Sequence, residues 1–213
     1  ALTYARSAGK ARDVAAGIEA KGGRAVALQA DARDPAAVEA AVARTAEAFG
    51  RLDILVNNAG VWIAGPIGEL SLADFEGTVA INLRAAFVAS RAAAARMAEG
   101  GRIVAIGSNL AHRVPFPGIS LYALSKAGLV GLTKGLARDL GPRGITANIV
   151  HPGSTDTDMN PADGPHADAQ RTLMAIPRFC DPREVAGLVA WLAGPDAGAV
   201  TGAEFTIDAG TNV

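Results

Sequence analysis

The sequence is short of several features at once, and each absence excludes something. Cys180 is the only cysteine in 213 residues, so no disulfide can form within the chain. A reducing compartment, the cytoplasm, is the expectation. No basic block stands out: 20 Lys and Arg are interspersed with 21 Asp and Glu, for a net charge of −1. That argues against nucleic acid as the main partner. No uninterrupted apolar run reaches membrane-spanning length, and no signal peptide is evident. The Ala-rich stretch from Ala80 to Ala98 is broken by Asn82, Arg84, Arg91 and Arg96, as in a soluble helix. His112, His151 and His166 are far apart with no ligand spacing between them, so no metal site is expected.

What is present is enough apolar material for a sizeable core. Half of the residues are hydrophobic and 19% are charged, which suits one ordered domain over residues 1–213. The pattern alternates between strand and helix. Helical segments are expected at Lys10–Ala20, Pro35–Phe49, Leu72–Ala98, Ser120–Leu140 and Pro182–Ala193. Strands are expected at Arg24–Ala30, Leu52–Val56, Arg102–Ile106, Ile145–Val150 and Glu204–Ile207. Short strands that are apolar throughout, separated by helices, indicate a parallel sheet covered on both faces. The expected fold is therefore α/β, a doubly wound, Rossmann-like sheet in three α/β/α layers. Such sheets bind ligands at the carboxyl ends of their strands. Residues 153–181 are rich in Pro, Asp and Gly and longer than most connections, and read as a mobile substrate loop.

The opening Ala1-Leu2-Thr3-Tyr4 reads as the tail of a strand leading directly into a helix. A strand and a G-x-x-x-G-x-G type turn are expected before that point in a dinucleotide fold. Roughly thirty residues or more are therefore expected to be missing from the front of this sequence.

Tyr122 and Lys126 are the most informative pair. Residues four apart share a helix face, so phenol and ammonium point into one site. A phenol titrating near ~10 is a poor acid-base group at neutral pH unless a cation favours its phenolate. Lys126 supplies the cation, and Ser108, fourteen positions upstream, a hydroxyl for a carbonyl oxygen. Three more segments accompany them. Asn57-Asn58-Ala59-Gly60 follows the strand LDILV, Asn82 lies within a helix, and Pro152-Gly153-Ser154-Thr155-Asp156-Thr157 follows ITANIV.

In this order, these residues resemble the short-chain dehydrogenase/reductase superfamily along the whole chain. The segments TYARS, AINLRAAF and DPREVAGLVAWLAG are similar to its 3-oxoacyl-[acyl-carrier-protein] reductase-like members. The resemblance implies a tetrad of Asn82, Ser108, Tyr122 and Lys126. Tyr122 would exchange the proton, with Lys126 lowering its pKa and holding the nicotinamide ribose. Ser108 would bind the reacting oxygen, and Asn82 would anchor a relay water. It also implies cofactor contacts from Asp31 and Ala32 to the adenine and from Asn58, Ala59 and Gly60 to the ribose and pyrophosphate. Pro152, Gly153, Thr155 and Thr157 would hold the carboxamide and diphosphate. An alternative for Asp31 is an ordinary helix N-cap.

Within that resemblance, an NAD-specific member would carry an acid at the end of the second strand. Here the stretch is Thr3-Tyr4-Ala5-Arg6-Ser7. Arg6 can pair with a 2′-phosphate and Ser7 can donate to it, so NADP(H) is favoured over NAD(H). The implied function is hydride transfer between NADP(H) and a carbonyl or secondary alcohol, such as a 3-oxoacyl thioester or small ketone. The alternatives are an epimerase or dehydratase on the same scaffold, or a non-catalytic dinucleotide-binding protein. Ala- and Gly-rich helices at 72–98 and 120–140 point to self-association as a dimer or tetramer. Trp62 and Ile63 either cover the pocket or belong to the core, and His112 is expected to face solvent.

Overall fold

The computed structural model describes residues 1–213. Six strands, β1 (Leu2–Tyr4), β2 (Ala27–Gln29), β3 (Ile54–Asn57), β4 (Arg102–Ile106), β5 (Thr146–Pro152) and β6 (Glu204–Ile207), pair only in parallel. Between them run α1 (Ala8–Glu19), α2 (Pro35–Phe49), α3 (Leu72–Val79), α4 (Ala85–Ala94), α5 (Ser120–Leu140), α6 (Ala167–Arg171) and α7 (Pro182–Ala193).

Local chemistry sets the helix ends. Asp34 accepts from the Ala36 and Ala37 N–H groups ahead of Pro35, and Gly50 closes α2 at φ 76, a left-handed position that suits glycine. Ser71 with Asp74, and Asp181 with Glu184, form capping boxes at α3 and α7. Each satisfies orphan N–H groups of a first turn.

The sheet is in two pieces. β1 pairs with β2, while β3-β4-β5-β6 form a separate four-stranded sheet. The continuous sheet read from the sequence is therefore interrupted, because none of the six strands pairs with both β1 and β3. Ile54 and Val56 are consequently about half-exposed despite their apolar strand. Helix α2 still joins the two parts through α4: Val42 and Ala46 pack with Ala89, Ala92, Ala93 and Ile103.

Strands β4 and β5 form the centre. Ile103 and Ala105 face the α4 and α5 side, whereas Val104 packs with Val150, Leu192 and Ala197 on the α7 side. That alternation is the strand period of two, and each such buried aliphatic side chain stabilises by roughly 1.5–3 kcal/mol.

Five of the ten expected elements keep their bounds and three, α1, β3 and β5, shift by one or two residues at their ends; the larger differences are these. The Arg24–Ala30 strand shortens to β2. The segment between 153 and 181 contains α6 and its own apolar cluster of Ala167, Met174 and Phe179. The single helix read over Leu72–Ala98 is split by a π-helical turn at Ala80–Arg84, where the Ala85 N–H bonds to Ala80 O, and α4 ends at Ala94. No helix is long and apolar enough to cross a membrane.

Candidate active site

The π turn carries Asn82, and π turns concentrate at functional sites. Its buried amide clamps the chain that leaves β3. Oδ1 accepts from the Val61 N–H at 2.8 Å, while Nδ2 donates to Val61 O and Ser125 Oγ, both at 3.0 Å. Both amide protons are thus committed to protein. Of the side-chain amide, only the second Oδ1 lone pair remains for a water. A Cβ on Gly60 would lie 3.5 Å from Asn82 Oδ1 and 3.6 Å from Lys126 Nζ. The turn after β3 and the α5 lysine therefore border one space.

Ser108 follows β4 and is buried. Its Oγ accepts from the Leu110 N–H at 3.2 Å, capping a short turn, and its hydroxyl is near enough to the Tyr122 phenol to favour the phenolate. Tyr122 and Lys126 project from the first two turns of α5. Burial pushes the Tyr122 phenol above its ordinary value, and the Ser108 hydroxyl pulls it part of the way back. Burial outweighs the lowering expected from Lys126 and sets the direction of that shift. The Lys126 Nζ donates to Ile106 O at 2.9 Å and lies 5.7 Å from the phenol ring centre. Lys126 is itself buried, which lowers it to about 8. Trp62 lies over Tyr122 with ring centres 4.5 Å apart, so it covers the phenol and is not core.

The residues expected to meet a cofactor are spread along the same carboxyl edge. Arg6 and Ser7 are exposed after β1, and Ser7 precedes α1 without a side-chain cap. Asp31 accepts from the Arg33 N–H at 2.9 Å, and Ala32 beside it is half-buried. Asp31 is not the cap of α2, which is Asp34. Asn58 and Ala59 are exposed, while Gly60 is half-buried. Pro152 ends β5. At Gly153 a Cβ would meet Asp208 Cβ at 2.6 Å and Asp208 Cα at 2.7 Å, so only glycine lets the loop pass β6. Thr155 donates to Gly153 O at 3.1 Å, and Thr157 is exposed.

Two residues near Ser108 carry no motif in the sequence. His151, fully buried on β5, bonds the Ser108 backbone, and Glu204 on β6 contacts both His151 and His112. The histidines that are distant in sequence thus meet, with His112 and His151 ring centres 4.7 Å apart. His112 faces Glu204 rather than solvent alone. The Lys134 ammonium already occupies Glu204 Oε1 at 2.7 Å. Only a pairing register, not a local pattern, reveals such a cluster.

A doubly wound fold that gathers a serine, a tyrosine and a lysine at its strand ends defines a dinucleotide-dependent oxidoreductase. Comparison with known proteins agrees. The family described as Enoyl-(Acyl carrier protein) reductase matches residues 1–212. A cyclic-di-GMP-binding biofilm dispersal mediator protein of Escherichia coli (strain K12) is 49% identical over 97% of this chain and 84% of its own length. A 3-oxoacyl-[acyl-carrier-protein] reductase of Synechocystis is 36% identical over 98% of this chain and 85% of its own. A crystal structure of a short chain dehydrogenase from Burkholderia cenocepacia J2315, in complex with NADP, superposes with a TM-score of 0.98. It is 61% identical and covers 99% of this chain and 86% of that one. The chain belongs to the short-chain dehydrogenase/reductase family.

Proposed function

We propose that the protein transfers hydride between NADP(H) and a carbonyl or secondary alcohol, with Asn82, Ser108, Tyr122 and Lys126 as its working residues. The observation that carries this reading is the group of buried Ser108 and Lys126 with half-buried Tyr122, at the end of β4 and the start of α5. The bound dinucleotide supplies or accepts the hydride. In the reducing direction the phenol of Tyr122 gives its proton to the substrate oxygen, completing the alcohol. A phenol raised by burial is protonated at neutral pH, as a donor must be. The resulting phenolate is stabilised by the Lys126 cation across the shared helix face. Ser108 donates to the same substrate oxygen and orients it. Proton return would run through a water held by the remaining Oδ1 lone pair of Asn82.

The residues present fit a dinucleotide. Lys126 spends one hydrogen on Ile106 O, leaving two for ribose hydroxyls. Arg6 and Ser7 make no side-chain hydrogen bond within the chain and stand free to meet a 2′-phosphate. Asp31 keeps one carboxylate oxygen for an adenine amino group, with Ala32 along the ring. Asn58, Ala59 and Gly60, with Pro152, Gly153, Thr155 and Thr157, would border the ribose, diphosphate and carboxamide. The NADP-bound Burkholderia relative supports the choice of NADP(H).

Residues 153–181 serve as the substrate loop, and the similarity to a 3-oxoacyl-[acyl-carrier-protein] reductase favours 3-oxoacyl thioesters among the candidates. The protein would work in the cytoplasm as a homodimer or homotetramer. Val79, Leu83, Phe87 and Leu132 line an apolar groove on α3 to α5, and Gly131 and Gly135 have open space beside them. Gly128 is different: its close approach to Leu83 is used within the chain.

A panel of ketones and 3-oxoacyl thioesters, followed by NADPH and NADH absorbance, tests the reading. Turnover with NADPH on at least one carbonyl is expected, and Arg6→Glu should weaken NADPH while sparing NADH. Isomerisation or dehydration without net nicotinamide change would favour the epimerase or dehydratase alternative. Tight binding without any turnover would favour a regulator, in line with the name of the Escherichia coli relative.

A further inference from the structure

Behind Ser108 lies a polar cluster that the proposed reaction leaves unused. Gly107 makes the last ladder bond to β5, its N–H donating to Val150 O at 2.7 Å. One residue further on, the Ser108 backbone finds a side chain instead. His151 Nδ1 lies 3.2 Å from the Ser108 N–H nitrogen and 2.9 Å from the Ser108 carbonyl oxygen. On its other side His151 Nε2 meets Glu204 Oε2 at 3.2 Å. Glu204 is held in turn by three elements: β6 carries it, His112 Nε2 reaches Oε2 at 2.9 Å, and Lys134 on α5 reaches Oε1 at 2.7 Å.

An ordinary core histidine would be a cheaper filler if it were apolar, because burying an imidazole costs free energy unless its nitrogens are paired. Here both are paired, and the pairing is directional. An ionised Glu204 accepts only, so it selects the tautomer with the proton on Nε2. With that tautomer Nδ1 accepts from the Ser108 N–H, and the Ser108 carbonyl oxygen 2.9 Å away receives a hydrogen bond only when the ring carries both protons. The fit also constrains the neighbouring backbone: a Cβ on Gly107 would lie 2.5 Å from His151 Nδ1 and 2.8 Å from Cε1. The imidazole thus occupies the space in which any other residue at 107 would need its side chain.

We propose that His151, oriented by Glu204, is a positioning residue that fixes the Ser108 peptide and thereby aims the Ser108 hydroxyl at the reacting oxygen. The inference rests on the hydride-transfer reading above. Lys134 and His112 hold the carboxylate from the solvent side, so the chain of contacts runs from the surface of α5 to the Ser108 peptide.

Two measurements on Glu204→Leu, His151→Leu, His151→Asn and the double variant Glu204→Leu/His151→Asn test it. In the first, kcat is measured beside the NADPH dissociation constant. Glu204→Leu and His151→Leu should lower kcat by about tenfold while NADPH binding stays within about twofold. His151→Asn should recover most of that loss, since Asn Oδ1 can replace the Nδ1 acceptor. Because Asn is too short to reach Glu204, adding Glu204→Leu to it should change kcat by less than about twofold. In the second, the Ser108 amide should exchange its hydrogen about tenfold faster in Glu204→Leu than in the wild type, read by NMR. Wild-type kcat in Glu204→Leu, an undiminished Glu204→Leu effect in the His151→Asn background, or unchanged Ser108 exchange would each overturn the proposal. If His151→Leu fails to fold, the Glu204→Leu comparisons alone decide. If the wild type turns over no carbonyl, the reaction reading fails, and the exchange measurement still decides whether Glu204 holds the Ser108 peptide.

Discussion

The Lys126 ammonium stands 5.7 Å from the centre of the Tyr122 ring and bonds the Ile106 carbonyl at 2.9 Å. One helical turn separates the two residues on α5, and β4 supplies the carbonyl. The cation is thereby fixed beside the phenol by the end of a central strand. Its charge is available when a phenolate forms, although burial dominates the resting phenol.

Burial lowers Lys126 to about 8 from its ordinary 10.5. Below pH 8 both folded and unfolded chains carry the proton, and the folded one bears the cost of burying a charge. Between about 8 and 10.5 the unfolded chain binds more protons, so this residue's contribution to stability rises with pH across that window. The difference in urea-unfolding stability between the wild type and Lys126→Met should show that rise from pH 7 to 10.5, since the Tyr122 and Cys180 shifts are common to both. Its size is on the order of 3 kcal/mol at most, from the shift in pKa. Turnover should fall as pH rises through 8, because the cation is lost.

Asn82→Ala removes three hydrogen bonds from a buried amide and leaves the Val61 backbone and Ser125 hydroxyl short of partners. A loss of about 3 kcal/mol is expected. Calorimetry should show it as a fall of roughly 6–12 °C in the unfolding midpoint. Activity should fall with it, since the π turn borders the site.

Gly153→Ala should destabilise, because its Cβ would run into Asp208 backbone and side chain at 2.6–2.7 Å. Gly17→Ala on α1 has nothing within 4 Å of the new Cβ. It should be neutral or stabilising, by about 0.5–1 kcal/mol from helix propensity. Thermal unfolding of the pair separates a required close approach from an incidental glycine.

The parts of this fold legible in the sequence were those written in local pattern. Helix α2 runs from Pro35 after the Asp34 cap to Gly50, and α5 follows its stripe of Leu129, Leu132, Leu136 and Leu140. Tyr122, Lys126 and Ser108 meet because strand ends and first helical turns converge in a doubly wound sheet. The π turn was not legible, because Ala80–Arg84 has ordinary helical composition and its hydrogen-bond shift accompanies contacts to Val61 and Ser125. His151 and Glu204 were missed for a related reason. Their proximity follows from the β5–β6 register, in which Val150 pairs with Phe205 and His151 with Thr206, and no local motif encodes that. The raised phenol pKa was missed as well, since burial is a property of the folded site.

The central claim is that Tyr122 moves the proton. The most direct test is Tyr122→Phe, which keeps the ring beneath Trp62 and deletes only the hydroxyl. Its kcat on an accepted carbonyl should fall by about 10²–10⁴-fold, with the NADPH dissociation constant within about twofold of the wild type. Turnover by Tyr122→Phe close to the wild-type rate would contradict the account.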